Sequence, residues 1–559
     1  MINKIEYISN PLTKKQVFNV IGLISVLLIM TILLLRDIGN ISLGYPDADR
    51  IIMDGVFIHD FLKDLPLTHI YQYTTEYYAQ YPALSIGYRP PFFPFIEGIF
   101  NSLFGVNIWS SRLALLSFAL IGLSCWFDLL RRSYDTNIAI GATLLLVTTP
   151  FFATWGWYTM SELPVLSMMM CTGYFFFRFT ENEKPVFLYT AALVFCLSVW
   201  TKQTAAFQVI WLVLFVLYKG RLLDYLKRKE TWISIAIILV LLIPLLVITI
   251  WLGKQNLEQS TGSPGNGLSS VSRLSWENLS SLFTNLIKYQ ITTPVLILSL
   301  AGASMALYKR DRRFAFFGLL ILSVYIFFTY ILIKDSRYTI YWIPAFTLLA
   351  VLPLYYLKKI RAFYWFAWAV VILLSIYQIN KTYEKPLNYA TGYDSAAQYV
   401  LRHCGESPTV LFDGYNNGYF TYFMRALDSN KSMYVLRGDK LLSSSSVFSN
   451  HWLEINAFSK DDIKKIIDEY GISCIVVESR ETSNIEIHRI FREYLASGPF
   501  QLIHEIMVDS NRDNLKNQTL KIYRYLQLKP PTADYLYIKL PIVGQNLKIP
   551  YRKPRAFPK

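Results

Sequence analysis

Long apolar runs without charges recur through roughly the first 380 residues of the chain. The first extends from Val17 to Leu35, and similar runs follow as far as Ile379. About 20 mostly apolar residues are needed to cross a bilayer, and they must form a helix because lipid offers backbone groups no hydrogen-bond partners. Only 17% of the 559 residues are charged, against about 25% in an average soluble domain. The sequence therefore predicts a polytopic α-helical membrane protein.

Basic residues predict how these spans are oriented. Lys4, Lys14 and Lys15 precede the first run, which places the N-terminus in the cytoplasm. Basic clusters also follow the second, sixth, eighth and tenth predicted spans, in the segments RR, KGRLLDYLKRKE, YKRDRRF and LKKIR. About eleven spans satisfy this alternation and leave the C-terminal region outside the cytoplasm. The net charge of +15 is thus explained by topology, and nucleic acid is not an expected partner.

The sequence changes character after Asn380. Strand-like segments such as TVLFD and ISCIVVES alternate with helix-like KDDIKKIIDEYG and IHRIFREYLA, which predicts a small α/β domain. We assign residues 1–387 to a transmembrane domain with a first extracytoplasmic loop at 36–109, residues 388–529 to an extracytoplasmic α/β domain, and residues 530–559 to a basic extended tail. Cys404 and Cys474 can pair if this domain faces an oxidising compartment.

The segment after the first span is dense in carboxylates. Its aspartates are Asp47, Asp49, Asp54, Asp60 and Asp64. A carboxylate just outside a membrane can act as a general base that removes a proton from an acceptor hydroxyl. Asp47 is the preferred candidate, with Asp49 as its neighbour. The other three are expected on the exposed face of a helix in the loop.

Further charged residues fall at the predicted outer ends of the spans. Arg89 follows Tyr88 and precedes the stiff pair Pro90-Pro91, where a fixed guanidinium can bind a lipid phosphate. Glu162 opens the fourth span, at a depth where a carboxylate needs a partner or a function. Lys202 and Arg337 lie on the side that should be poor in positive charge, so an anionic ligand would explain them.

A divalent metal stays open as a cofactor. Asp47-Ala48-Asp49 has the spacing with which many sugar-nucleotide enzymes hold a metal, but the nucleotide-binding domain that usually accompanies it is not seen in this sequence. His59 and His69 share the first loop with the carboxylates, although neither has a ligand spacing such as HExxH. No metal ligand is therefore assigned.

Taken in order, these elements resemble the GT-C glycosyltransferases, and most of all the group of protein O-mannosyltransferases and aminoarabinose transferases. The resemblance covers about residues 17–360 and includes FGVNIWSSRL after the Pro pair, WTKQTAAF and RYTIYWIP. It implies an enzyme of the inner or plasma membrane that takes a sugar from a polyprenyl-phosphate carrier. The sugar would pass, with inversion, to a lipid, glycan or protein acceptor on the outer side.

Carried over by position, the family's catalytic carboxylate falls on Asp47 and its second-loop acid on Glu162. The residues that would bind the carrier phosphate are Arg89, Lys202 and Arg337, with Tyr88 and Tyr338 beside them. The chain departs from the family pattern at two positions. Ala48 stands where Glu is common, which leaves open whether Asp49 supplies the second carboxylate, and Arg89 stands where Lys or His is usual.

Two other classes of function compete with this interpretation. A transporter of lipid-linked glycans would place ionisable residues near the midpoints of its spans and would show internal symmetry. The charges of this chain gather instead at the outer ends, and no repeat is evident. A non-catalytic membrane receptor would place its function in the C-terminal domain.

Overall fold

The computed structural model describes residues 13–551 apart from 86, 254–271, 332, 359, 406, 446–452, 481–484 and 541–544. The helices up to residue 384 are α1 (Lys14–Leu34), α2 (Ala48–Asp64), α3 (Ile70–Gln80), α4 (Phe92–Phe104), α5 (Ile108–Ser133), α6 (Thr136–Thr148), α7 (Pro150–Trp157), α8 (Glu162–Asn182), α9 (Pro185–Thr201), α10 (Phe207–Tyr218), α11 (Leu222–Leu226), α12 (Lys229–Leu252), α13 (Trp276–Asn285), α14 (Thr293–Tyr308), α15 (Phe314–Tyr330), α16 (Ile343–Leu357) and α17 (Arg361–Glu384). Short 3-10 segments at Gln203–Ala206 and Ser336–Trp342 and a π-helical turn at Leu286–Gln290 join them.

Several of these helices have the length and apolar composition of membrane spans. Within the described residues, α1, α5, α12, α17 and the run Ser336–Leu357 are each long and apolar enough, and the bent pair α6 and α7 makes a sixth candidate. The two helices of that pair differ in direction by 62°, because Pro150 disfavours a helical conformation at Thr149. The predicted polytopic helical architecture is confirmed, whereas the count of eleven spans stays a prediction.

The outer surface of the helical part is apolar. Val240 on α12 is 69% exposed and Leu373 on α17 is 65% exposed. In water such side chains would be costly to expose in rows, but in a bilayer they contact lipid chains. These faces therefore mark the surface that lipid covers.

The first loop, residues 36–109, folds into a compact helical layer of α2, α3 and α4. Helix α2 packs closely against α4, since glycines stand at the contact. A Cβ added at Gly55 would lie 2.7 Å from Glu97 Cβ, and one at Gly98 would lie 2.5 Å from Ile58 Cγ2. This layer carries Asp47 at the start of α2.

The C-terminal region forms the predicted α/β domain. Its helices are α18 (Tyr393–His403), α19 (Asn417–Leu427), α20 (Gly438–Leu441), α21 (Lys460–Tyr470) and α22 (Glu486–Ser497), with a 3-10 turn at Asp513–Leu515. Its strands are β1 (Thr409–Asp413), β2 (Tyr434–Arg437), β3 (Ser443–Ser445), β4 (Leu453–Ile455), β5 (Cys474–Glu478), β6 (Phe500–Met507), β7 (Thr519–Tyr525), β8 (Tyr535–Leu540) and β9 (Gln545–Pro550). The main sheet has the order β2-β1-β5-β7-β6, parallel from β2 to β5 and antiparallel beyond. A disulfide between Cys404 and Cys474 ties the end of α18 to β5.

The prediction of an extended tail from residue 530 is wrong for residues 535–551. Strands β8 and β9 pair as an antiparallel hairpin, and Leu536, Ile538 and Ile549 are buried in the domain core. The Tyr551 hydroxyl donates to the Tyr470 carbonyl at 2.9 Å. The lysines and prolines of this stretch suggested a tail. Its apolar residues alternate with polar ones, however, so two strands can pair and bury one face against the domain. Residues 552–559 lie outside the described residues.

The α/β domain packs directly on the first loop. Helix α2 contacts α19, and α3 contacts β2. The Ala390 N–H donates to Ser42 Oγ at 2.8 Å, so the chain leaving α17 also returns to the first loop. Both regions therefore lie on the same side of the membrane-spanning helices.

Candidate active site

Asp47 occupies the N-cap position of α2, and its side chain makes no capping hydrogen bond with the helix. Free backbone N–H groups point outward at this end of a helix and favour a negative charge. Two arginines contact its carboxylate: Arg89 Nη2 lies 3.3 Å from Oδ1, and Arg337 Nη2 lies 3.0 Å from Oδ2. The Asp47 side chain is still 37% exposed. The carboxylate is thus held by two cations and remains partly exposed.

Arg337 joins Asp47 to two further carboxylates. Its Nε lies 3.5 Å from Glu162 Oε1 and 3.2 Å from Asp335 Oδ2. Its side chain is only 9% exposed, and the buried Nη1 has no hydrogen-bond partner among the described residues. A planar guanidinium with an unused donor suits an oxyanion such as phosphate.

Glu162 and Lys202 complete the ion network, which we define as Asp47, Arg89, Glu162, Lys202, Asp335 and Arg337. Glu162 is the first residue of α8 and is fully buried. Lys202 follows α9 directly, and its Nζ donates to Glu162 Oε1 at 2.6 Å. A buried carboxylate is costly unless it is paired. Glu162 therefore holds two cations in place, with no contact to Asp47.

Arg89 is positioned by a short turn. The N–H groups of Tyr88 and Arg89 both donate to the Ser85 carbonyl, at 3.0 and 2.9 Å. Asp54 on α2 fixes this turn, because its Oδ1 accepts from the Ser85 N–H at 2.8 Å and its Oδ2 accepts from the Ser85 hydroxyl. Arg89 Nη1 in turn donates to the Asp47 carbonyl at 3.2 Å. The expectation that Asp54 is a solvated surface residue is wrong: it is a buried support for Arg89.

Replacing Asp54 by Ala should lower the free energy of unfolding by about 2 kcal/mol, since two buried groups of Ser85 lose their acceptor. Burial raises the pKa of Asp54 to about 7, so the neutral isostere Asn should be tolerated. The raised pKa also means that this carboxyl stabilises the folded state less as pH rises from about 4 to 7. Thermal unfolding of the purified variants across this range measures both effects. Equal stability of the Ala and Asn variants would contradict the role of Asp54 as the hydrogen-bond acceptor for Ser85.

Asp49 points away from the ion network. It is 5% exposed, and its Oδ1 accepts from the Arg50 N–H at 2.6 Å. No ion pair reaches it within the described part of the chain. Its Oδ2 lies against Gly418 at the start of α19, where an added Cβ would be 2.0 Å away. Positions two residues apart on a helix differ by about 200°, so the structure does not bring Asp49 together with Asp47.

Aromatic rings surround the cations of the network. The Arg337 guanidinium carbon lies 4.8 Å from the Tyr45 ring centroid and 5.8 Å from that of Trp155. Lys202 Nζ lies 4.7 Å from the centroid of Tyr338, a predicted site residue. Sequence reasoning missed Tyr45, Trp155 and Asp335. Tyr45 and Asp335 stand two residues from Asp47 and Arg337, and this nearness was the only signal for them.

Tyr88 and Lys334 lie close to Arg89 and Arg337 in the sequence, and both take part in local structure. Tyr88 belongs to the turn that holds Arg89, and burial raises the pKa of its hydroxyl. Lys334 Nζ donates to the carbonyls of Phe328, Thr329 and Ile331, at 2.6, 3.1 and 2.5 Å. Lysine near the end of a helix commonly satisfies carbonyls that lack partners. Lys334 is therefore explained by the end of α15 without a ligand.

The residues at the site do not fit a divalent cation. The carboxylates of Asp47 and Glu162 are each paired with two cationic side chains. Hard cations prefer clusters of oxygen ligands, and within the described residues no three His, Cys, Asp or Glu side chains converge. His59 Nδ1 lies 2.9 Å from Ser102 Oγ, away from the network. This set of charges favours an anionic ligand.

A second chain of titratable groups lies in the α/β domain. His488 Nδ1 is 2.8 Å from Asp413 Oδ1, and His488 Nε2 is 3.1 Å from Ser443 Oγ. The order Ser-His-Asp is that of a hydrolase triad. All three side chains are buried, however, and Ser443 is fully inaccessible. The arrangement therefore links β1, β3 and α22 inside the domain core.

Residues 88–248 match the family described as dolichyl-phosphate-mannose-protein mannosyltransferase, and a comparison with curated protein sequences finds no match. ArnT from Cupriavidus metallidurans, solved with undecaprenyl phosphate bound, is similar at 14% identity and a TM-score of 0.50, covering 90% of this chain and 97% of that chain.

Two further solved structures are similar. The oligosaccharyltransferase of Archaeoglobus fulgidus in its apo form has 11% identity and a TM-score of 0.51, covering 83% of this chain and 70% of that chain. The arabinofuranosyltransferase AftD from Mycobacteria has 13% identity and a TM-score of 0.53, covering 94% of this chain and 41% of that chain. The chain therefore has the fold of the GT-C superfamily of glycosyltransferases.

Proposed function

We propose that the chain is a membrane glycosyltransferase that moves a sugar from a polyprenyl-phosphate carrier to a hydroxyl acceptor, with inversion. The observation that carries this proposal is the partly exposed Asp47 carboxylate, held between Arg89 and Arg337 in a network that also contains Lys202. A general base therefore stands beside cations suited to a leaving phosphate. ArnT, which shares the fold, was solved with undecaprenyl phosphate bound, and this supports the choice of carrier.

In the proposed reaction, Asp47 removes the proton of the acceptor hydroxyl while its oxygen attacks the anomeric carbon of the donor. The bond between that carbon and the phosphate oxygen breaks, and its electron pair leaves with the phosphate. Arg337 and Lys202 neutralise the charge that develops there, and Arg89, which pairs with the other oxygen of Asp47, adds to this effect. A single displacement from the opposite face of the sugar inverts the anomeric configuration.

Glu162 acts as a positioning residue in this scheme. It is fully buried, and it contacts Lys202 and Arg337. By fixing both side chains it would keep their charges in place before the phosphate arrives, so little reorganisation is needed during the reaction.

The location of the site supports an extracytoplasmic reaction in the inner or plasma membrane. Basic clusters predict a cytoplasmic N-terminus, which puts the first loop and the α/β domain packed on it outside the cytoplasm. Glu162, Lys202 and Arg337 lie at the ends of apolar helices. A transporter would need such groups nearer the midpoints of its spans.

The proposal is tested by mass spectrometry of membrane glycolipids and surface glycans from cells with and without the protein. We expect one glycosylated species to disappear with the protein and to return when it is supplied again. Purified protein should also bind undecaprenyl phosphate in detergent. Unchanged glycolipids and glycans, together with no binding of undecaprenyl phosphate, would contradict the proposal.

Arg89→Gln should shift the pH dependence of transfer. Burial alone would raise the pKa of Asp47, but Arg89 and Arg337 hold it below its ordinary value. Asp47 is then ionised, and able to act as a base, down to unusually low pH. Removal of one cation raises this pKa, so the acid limb of the pH profile should move to higher pH by as much as about 1 unit. Product formation in isolated membranes measures this limb, and an unchanged limb would contradict the assignment.

A further inference from the structure

Helix α2 is packed between α4 of the first loop and α19 of the α/β domain. Gly55 and Gly98 let α4 approach it on one side. On the other side Gly418 of α19 lies against Asp49, and an added Cβ would stand 2.0 Å from Asp49 Oδ2 and 2.4 Å from its Cγ. A real Cβ cannot occupy that space, so α2 and α19 meet here without any gap. Asp49 is two residues from Asp47.

The far end of α2 is fixed by a buried ion pair. Arg425 on α19 donates from Nε to Asp60 Oδ2 at 2.8 Å, and its Nη2 pairs with Asp60 Oδ1. The Tyr77 hydroxyl donates to the same carboxylate at 2.6 Å. Asp60 is fully buried and the Arg425 side chain is 6% exposed, so the expectation that Asp60 is a solvated residue is wrong. Breaking such a pair from one side is strongly unfavourable.

The same domain also holds the segment that leads to Arg89. Arg437 Nη1 at the end of β2 donates to the Pro82 carbonyl at 2.8 Å. Gln80 Nε2 donates to the carbonyls of Lys431 and Met433, at 2.6 and 3.0 Å. Pro82 is three residues before Ser85, whose turn positions Arg89. The α/β domain therefore braces the supports of both Asp47 and Arg89.

We propose that the α/β domain is a positioning element of the catalytic site, and that the contact of Asp49 with Gly418 sets where Asp47 stands relative to Arg337. This inference rests on the proposed function of Asp47. Arg337 belongs to the membrane part, whereas Asp47 moves with α2. A shift of α2 by 1 Å would disturb the reacting geometry, which can lower a rate by about 10²-fold.

The variant Gly418→Ala tests the contact of Asp49 with Gly418, here called the joint, in the full chain. Its Cβ must push Asp49 and α2 away from α19, so product formation per inserted protein should fall by about tenfold or more. Binding of undecaprenyl phosphate should persist, because Lys202, Glu162 and Arg337 lie outside the joint. The matched control is Gly405→Ala in the same domain, where an added Cβ meets nothing within 4 Å. It should leave both measurements unchanged.

The acid limb of the pH profile separates positioning from simple loss of folded protein. Asp47 faces Arg89, Arg337 and Arg50, which all favour its ionised form. If Gly418→Ala moves Asp47 away from the arginines, the limb moves to higher pH. A smaller amount of folded protein would lower the amplitude without moving the limb. Substituting Asp49 by Ala in the Gly418→Ala background removes the two closest contacts and leaves only that with the Asp49 Cβ, at 2.9 Å. Part of the activity should therefore return, and the effects of the two substitutions should not add.

Arg425→Lys is the second variant, and it decides the question if Gly418→Ala does not fold. Lysine keeps the charge but loses the bidentate contact with Asp60. We expect reduced product with retained binding of undecaprenyl phosphate. Folded variants with product within about twofold of the parent would overturn the inference. A parent protein that forms no product would instead overturn the proposed function, so the two failures are distinguishable.

Discussion

Asp47→Asn should fold and insert like the parent and should lose transfer by about 10²- to 10⁴-fold, the usual contribution of a general base. Asparagine preserves the shape of the side chain but cannot take the proton of an acceptor hydroxyl. Arg337 keeps its contacts with Glu162 and Asp335 in this variant, so the surrounding network should survive. Product is measured as the glycosylated species that depends on the protein.

The control for this variant is Asp461→Asn, which replaces an exposed carboxylate on α21 of the α/β domain. It should transfer sugar at the parental rate. Binding of undecaprenyl phosphate by Asp47→Asn should be retained, because Asp47 carries the same sign of charge as the ligand. If folded Asp47→Asn formed product at the parental rate, the assignment of the base would be wrong.

Arg337→Gln should weaken the binding of undecaprenyl phosphate. Hydrogen bonds to charged groups contribute about 1.5 to 3 kcal/mol each, so the affinity should fall by at least about tenfold. Transfer should fall further, because the same guanidinium would stabilise the leaving phosphate. The variant also removes one cation each from Asp47 and Glu162, and the buried Glu162 would then depend on Lys202 alone.

The conservative variant Arg337→Lys separates charge from geometry. It keeps the positive charge but loses the planar fork, so its affinity should lie between those of the parent and Arg337→Gln. Arg131→Gln is the control, at the C-terminal end of α5, where Arg131 pairs with Asp128. Equal affinity of the parent and folded Arg337→Gln for undecaprenyl phosphate would contradict the role of Arg337.

Much of the site was predictable because charged residues are rare next to the apolar runs of a membrane protein. Apolar runs predict helices, and a charged residue at their ends needs an explanation. Glu162, Lys202 and Arg337 stood out for this reason, and the structure places all three in one network with Asp47 and Arg89. Their roles in transfer stay predictions.

The errors in the first loop have a common physical cause. Asp54 and Asp60 lie on a helix outside the predicted spans, where aspartates usually face water. The structure buries Asp54 under the turn at Ser85 and Asp60 under Arg425 of the α/β domain. Arg425 is 365 residues away from Asp60 along the chain. No sequence pattern around Asp60 indicates an ion-pair partner at such a distance along the chain.

From the amino-acid sequence alone follow the membrane-spanning class, the α/β character of the C-terminal region and the charged residues of the ion network other than Asp335. These depend on composition and short-range periodicity, which act within a few turns of helix or strand. Only the tertiary structure decided that Asp49 faces Gly418 instead of the ion network, and that residues 535–550 form a hairpin. The burial of Asp49 and the packing of the hairpin against the domain depend on contacts between segments that are far apart in the sequence. Local composition and periodicity do not specify such contacts.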